Sequence, residues 1–240
     1  MPAIRPPLQP ARLLALLRTS LVWFIDDGLH TGTNKLMHLA TWVQNIQRAL
    51  LQKYGSEAAK RRLWNSEYAT GRWNCLDNGS DQSAHLLVEK YANKGGILDL
   101  GCGTGAIGVA VHREAYSFYT GLDVSDVALE KARQRAQDNG RADRNEYCRS
   151  DILSYEPARK YKVIVYGDSI YYIPQGKIAS MLERYSTFLA EDGVFIARLF
   201  EASGKRLEII DMIQNRFHVL ESRMDPQTLA YLVVFRPLGQ

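Results

Sequence analysis

The chain has 240 residues, 46% hydrophobic and 23% charged, a globular composition that excludes a disordered, collagen-like or disulfide-stapled protein. Its length fits one α/β domain with an N-terminal appendage, and three separated cysteines, Cys75, Cys102 and Cys148, exclude a disulfide framework and a zinc ribbon. The net charge is +4, but nine Lys/Arg against three acids give residues 1–62 a balance of +6 and leave −2 for the rest.

Pro2, Pro6, Pro7 and Pro10 predict an extended leader, followed by two or three helical stretches that run to about Tyr68. The most apolar stretch, Leu13 to Ile25, is broken by Arg18 and stopped by Asp26 and Asp27. It falls short of the roughly 18 apolar residues of a bilayer span, and no small-residue cleavage site follows it. The reading is a cytoplasmic protein. Leu13, Leu14, Leu16, Leu17, Leu21, Phe24 and Ile25 cover much of a helix surface, which predicts packing on the main domain, on a second copy in a homodimer, or on a membrane surface. The basic balance reads first as a solvated helix face, and otherwise as a patch for an anionic membrane, a phosphorylated substrate or RNA.

Residues 1–80 therefore form an expected N-terminal helical cap and residues 81–240 the main domain. Asn74 to Asp81 reads as a loop, with Ser80 or Asp81 capping a helix that ends near Asn93. From Gly96 onward, short apolar runs alternate with helical stretches, the pattern of βαβ units in a parallel sheet. Strands are expected at 97–100, 118–123, 146–148, 162–166 and 193–199, with helices starting near Ala106, Ser125, Gln175 and Gly204. Two further strands, 217–223 and 229–236, are separated by Met224-Asp225-Pro226-Gln227, too short for a parallel crossover, so this pair is antiparallel.

The strongest local signal is Ile97-Leu98-Asp99-Leu100-Gly101-Cys102-Gly103-Thr104-Gly105, a strand that runs into three alternate glycines and then a helix. Glycine removes the Cβ that would block a ligand, and the helix start offers N–H groups and a positive dipole end, so a nucleotide-like ligand is implied. Read through Ala106, the segment also fits the G-x-G-x-x-G/A pattern of NAD-binding proteins. Three carboxylates separate the readings. Asp99, before the glycines, suits a cationic ligand and would repel a pyrophosphate; Asp123, ending the second strand, can take both ribose hydroxyls; Asp151, after the third, can accept from the adenine amine.

Through Asp99 to Gly105, Asp123, Asp151, Tyr166-Gly167-Asp168-Ser169-Ile170-Tyr171-Tyr172 and Leu189-Ala190-Glu191-Asp192-Gly193, the chain resembles the class I S-adenosylmethionine-dependent methyltransferases. Leu63-Trp64-Asn65-Ser66-Glu67-Tyr68-Ala69-Thr70-Gly71-Arg72-Trp73 is similar to the entry segment of stand-alone bacterial members acting on small molecules. The resemblance implies an α/β, Rossmann-like seven-stranded sheet with its last strand antiparallel, helices on both faces and an N-terminal helical cap. It implies S-adenosyl-L-methionine as cofactor and S-adenosyl-L-homocysteine as product. Gly101, Cys102, Gly103 and Gly105 would lie under the methionine part, with Asp99 near its ammonium. Asp123 would hold the ribose, Val124 would pack on adenine, and Asp151 with Ile152 would read its edge. Tyr166 is counted with this set. Tyr68 and Trp73 would cover the cofactor, with His85 contributing to that wall.

After the fourth strand the superfamily places residues that face the methyl group. Here the segment departs from the N/D-P-P-Y motif of many base and amide-nitrogen methyltransferases, which argues against DNA. Asp168 is the candidate general base, Tyr171 and Tyr172 the candidate pocket-shaping residues, and Arg198 a candidate grip on an anionic acceptor. No cluster at metal-ligand spacing appears, so a metal-independent enzyme is expected. The leading expectation is methyl transfer to a hydroxyl or amine of a small molecule, such as a sugar or natural-product intermediate, by a monomer or homodimer. The alternatives are an RNA methyltransferase that uses the basic N-terminal region, an NAD-dependent dehydrogenase, and a cofactor-binding protein without catalysis.

Overall fold

The structure is a computed structural model that describes residues 32–74, 83–200, 204–225 and 229–239. The proline leader, the apolar 13–25 stretch with its packing and membrane expectations, Cys75, and the capping residues Ser80 and Asp81 lie outside the described residues. The chain divides between Gln47 and Arg48. The second unit, Arg48–Gln240, carries the sheet and its site, and helix α1 (Gly32–Tyr54) spans the division.

Helix α2 (Glu57–Ala69) starts where Ser56 accepts the Ala59 N–H at 3.3 Å, an N-cap of the usual kind. It is followed by α3 (Ser83–Ala92), β1 (Gly96–Leu100), α4 (Ala106–Ala110), β2 (Phe118–Asp123), α5 (Asp126–Asp138), β3 (Asn145–Arg149) and β4 (Tyr161–Gly167). Then come α6 (Gln175–Ser186), β5 (Leu189–Leu199), α7 (Lys205–Arg216), β6 (His218–Met224) and β7 (Tyr231–Arg236). The strand order is β3-β2-β1-β4-β5-β7-β6. The first five strands run parallel, and β7 is antiparallel to both of its neighbours. The expected Rossmann-like sheet is thus present, its last strand inserted between β5 and β6.

Alternation along the strands distributes the core. Leu98, Leu100, Ile164 and Tyr166 face the side covered by Ile178, Leu182 and Tyr185 of α6 and Ile209, Ile210 and Ile213 of α7, while Ile97, Val163, Val165 and Ile196 face Ala84, Leu87 and Val88 of α3. Tyr166 therefore corrects the sequence reading. It is fully buried beside Phe195, with ring centroids 6.4 Å apart, and is a core residue rather than part of a ligand wall.

The antiparallel end of the sheet is held by Phe195, Phe217 and Phe235. Phe195 stacks on Phe235 at 5.2 Å, and Phe217 meets Phe235 edge-on at 5.3 Å. Phe235→Ala leaves a cavity among these buried rings. A loss of about 3–5 kcal/mol is expected in urea unfolding, with an unchanged m-value.

Candidate functional site

The carboxyl ends of the parallel strands meet at one edge of the sheet, where an open α/β fold binds its ligand. β1 ends in a turn in which Gly101, Gly103 and Gly105 take φ of +84°, +53° and +74°, values that strain any residue with a Cβ. The N–H groups of Gly101 and Cys102 both donate to the Leu122 carbonyl at 2.8 Å, which pins the turn to β2. Space is as restrictive as φ. A Cβ on Gly101 would stand 2.5 Å from Ser169 Cβ, and one on Gly103 would stand 2.8 Å from the Tyr68 hydroxyl oxygen. The helix behind the loop has only five residues, so the turn, rather than the expected helix dipole, carries the site.

Asp123 ties this turn to the end of β2. Its Oδ2 accepts the Gly103 N–H at 3.0 Å and its Oδ1 the Ser125 N–H at 2.8 Å. Burial raises its pKa to about 6 against the pull of these donors. Val124 is half-buried beside it, and Ile152 Cδ1 lies 3.8 Å from where a Gly101 Cβ would sit. Cys102 contributes backbone to the loop. Its buried thiol, raised well above the usual range by desolvation, lies against Gly121.

Asp99 is on the Ile97 face of β1, beneath the loop, and is 1% exposed. The Tyr119 hydroxyl donates to its Oδ2 at 2.6 Å, while Oδ1 is a buried acceptor with no partner. Burial raises its pKa to about 7, with repulsion from Asp123 adding to the rise. A carboxyl raised from 3.8 binds its proton more tightly folded than unfolded. Its contribution to stability is therefore full below about pH 4 and declines as the pH rises toward 7. Asp99→Asn should raise the Tm at pH 8, with the gain shrinking at pH 5, and weaken binding of a cationic ligand.

Asp151 is engaged more fully than the sequence suggests. Its Oδ1 accepts the Leu153 N–H at 2.8 Å and its Oδ2 an N–H of the Lys60 ammonium at 2.6 Å. Lys60 belongs to α2, which reaches the loops that follow β2 and β3. Ser125 Oγ donates to Asn65 Oδ1 at 2.8 Å, and Lys131 Nζ donates to the Tyr68 carbonyl at 3.0 Å. No sequence motif marks Lys60, and Asn65 stands in the entry segment Leu63 to Trp73 with no role assigned to it from the sequence.

On the β4–β5 side, Asp168 has a φ of +60°, the kind of backbone strain that clusters at functional positions. The Phe200 N–H donates to its Oδ1 at 2.7 Å, Tyr171 hydrogen-bonds to it, and Arg198 pairs with its Oδ2. Burial raises its pKa to about 6, and its side chain remains 27% exposed. Arg198 is 7% exposed and pairs with Asp168.

Aromatic rings close this side. Trp64 meets Tyr172 edge-on at 5.1 Å and lies 5.8 Å from Trp73 and 6.2 Å from Tyr68. Tyr171 lies 4.8 Å from Tyr172, with the Arg206 guanidinium 4.4 Å from the Tyr171 centroid. Burial raises both tyrosine pKa values, so their hydroxyls stay protonated. Glu67 orients the wall by accepting the Trp73 indole N–H at 2.9 Å and a bidentate pair from Arg48. The sequence reading missed Arg48, Glu67, Phe200 and Arg206. His85 is half-buried on α3, and among the described residues no hydrogen bond joins it to this wall.

Residues 97–193, which hold the glycine turn, Asp123, Asp151 and Asp168, match the family model described as a methyltransferase domain. Over these residues the chain carries a methyltransferase domain of the S-adenosylmethionine-dependent kind. The ubiquinone biosynthesis O-methyltransferase of Actinobacillus pleuropneumoniae serotype 5b is 30% identical over 166 residues, 63% of this chain and 64% of that protein. A tRNA1(Val) (adenine(37)-N6)-methyltransferase of Vibrio cholerae is 28% identical over 127 residues, 45% of this chain. The match spans only 52% of that relative's length. Among solved structures, the N-methyltransferase NodS of Bradyrhizobium japonicum WM9, in complex with S-adenosylhomocysteine, shares the fold with a TM-score of 0.60 and 19% identity over 75% of this chain and 98% of its own. A methyltransferase of Clostridium acetobutylicum has a TM-score of 0.58, 16% identity and coverage of 72% and 99%.

The residues of this site fit S-adenosylmethionine. The unmatched Asp99 Oδ1 suits a cationic donor, and the three glycines give a close-approach surface that a Cβ would fill. Asp123 accepts the Gly103 N–H on Oδ2 and the Ser125 N–H on Oδ1, and a carboxylate has further lone pairs that can take a hydroxyl.

Proposed function

We propose that this protein transfers a methyl group from S-adenosylmethionine to a hydroxyl of a small molecule. The observation that carries the reading is Asp168, a half-buried carboxylate with a raised pKa that stands at the end of β4 beside an aromatic wall. When bound, the cofactor supplies a methyl group already activated on a sulfonium. The protein's work is then alignment and proton removal.

Asp168 takes the hydroxyl proton. The Phe200 N–H, the Tyr171 hydroxyl and Arg198 fix its two oxygens and leave one of about four lone-pair positions for the acceptor. Trp64, Trp73, Tyr171 and Tyr172 present apolar faces that exclude water and suit a planar acceptor. The O-methyltransferase similarity supports a hydroxyl target. The tRNA enzyme similarity supports a second reading, an RNA base, but the segment after β4 reads Gly167-Asp168-Ser169-Ile170 and not N/D-P-P-Y. Among the described residues no helix is long and apolar enough to cross a membrane, and we place the enzyme in the cytoplasm.

The test is S-adenosylhomocysteine release measured with panels of phenols, sugar hydroxyls, amines and bulk tRNA. Turnover confined to hydroxyl compounds supports the proposal; turnover with tRNA alone overturns it.

A further inference from the structure

The structure assigns Lys60 of α2 as a positioning residue for adenine recognition, acting through Asp151. The assignment rests on the proposed cofactor site and extends it from the sheet loops to the N-terminal helix. Lys60 is 8% exposed, and its side chain and that of Asp151 keep only 10% and 13% of their accessible surface. A lysine is seldom buried to this extent unless its ammonium is paired. Here the partner is a carboxylate 91 positions away in sequence, at 2.6 Å.

Asp151 is held from two directions. Its backbone carbonyl accepts the N–H groups of Ser154 at 3.1 Å and Tyr155 at 3.0 Å. The loop beyond it is fixed from α6, where Arg184 donates to the carbonyls of Ile152 and Tyr155 at 3.0 and 2.6 Å and the Tyr185 hydroxyl donates to Ile152 at 2.8 Å. The side chain is set by Leu153 N–H on one oxygen and by Lys60 on the other. A carboxylate has about four acceptor positions, so two remain after these bonds. An ammonium against Oδ2 fixes the rotamer and so aims the remaining acceptor positions of the carboxylate. A carboxylate held in this way can take the N–H of an exocyclic amine and refuses a carbonyl oxygen in its place.

The consequence is selectivity between adenine and hypoxanthine, which differ at this edge by an amine donor against an oxo acceptor. The test is calorimetric titration with S-adenosylhomocysteine and S-inosylhomocysteine. Wild type should prefer the adenine compound by roughly tenfold to a hundredfold, the range of one charge-assisted hydrogen bond. Lys60→Met should bring the ratio close to one, chiefly by weakening the adenine compound, and Lys60→Arg should restore it. A helix tether with no part in recognition would weaken both compounds equally. A ratio unchanged or increased in Lys60→Met overturns the assignment. Should Lys60→Met fail to fold by near-UV circular dichroism, Lys60→Gln, polar but uncharged, carries the same comparison. Asp123→Ala is the control for the cofactor reading, since it should weaken both compounds and preserve the ratio. Wild type that binds neither compound would overturn both readings.

Discussion

Asp168→Asn should lower turnover of a hydroxyl acceptor by roughly 10²–10⁴-fold, the usual contribution of a positioned base, while S-adenosylhomocysteine binding is retained. Asparagine keeps the size of the side chain and an acceptor for the Phe200 N–H, but its amide cannot take a proton. The pH profile gives the sharper readout. Burial has raised the Asp168 pKa to about 6, so below that pH the carboxyl is protonated in the free enzyme and cannot accept. The value of kcat/KM for the wild type should fall as the pH drops through about 6, and the variant's residual rate should lack that limb. An unchanged profile in Asp168→Asn would assign the proton transfer elsewhere. A neutral amine acceptor, which needs no base, would show little loss of rate in the variant. The same substitution thus distinguishes acceptor classes.

Asp123→Ala should abolish tight cofactor binding. Two charge-assisted hydrogen bonds to ribose hydroxyls, at about 1.5–3 kcal/mol each, amount to roughly a hundredfold or more in Kd. The substitution also removes the acceptor of the Gly103 and Ser125 N–H groups and so loosens the turn it was meant to leave intact. Calorimetric titration with S-adenosylhomocysteine reads the loss. Because burial holds the wild-type carboxyl at about 6, and the hydroxyls donate to its ionised form, affinity should fall as the pH drops through 6. Binding near that pH should release a proton, visible as a dependence of the heat on the buffer's ionisation enthalpy. Affinity independent of both pH and Asp123 would place the ribose elsewhere.

Much of this architecture is legible in the residues themselves. β2 falls at 118–123, as its apolar run predicts, and the short Asp225-Pro226 connection requires the antiparallel pair that the sheet contains. The glycine turn is legible because positive φ and close approach both demand glycine. Tyr166 misleads because it stands in a motif position, yet strand alternation places it with Ile164 on the α6 face, a signal already present in Lys162-Val163-Ile164-Val165-Tyr166. β5 begins at Leu189 rather than 193, since Asp192 takes φ of +54° and lets the strand bend instead of starting after the turn. Lys60 and Arg48 leave no local trace, because a helix residue's partner 91 positions away, as with Lys60 and Asp151, is decided by tertiary packing alone.

The insertion of β7 between β5 and β6 also sets the order in which a growing chain can complete its sheet. β6 leaves the ribosome first but has no sheet neighbour among the described strands other than β7, so it must wait unpaired. During that interval β5 presents an open row of N–H and C=O groups, bordered by Ile196 and Ala197, to any other extended segment nearby. A pause in translation between β6 and β7 would prolong that exposure. Synonymous codons over this short stretch should therefore affect the yield of soluble protein more than the same changes placed over β3, whose sheet partner β2 already precedes it.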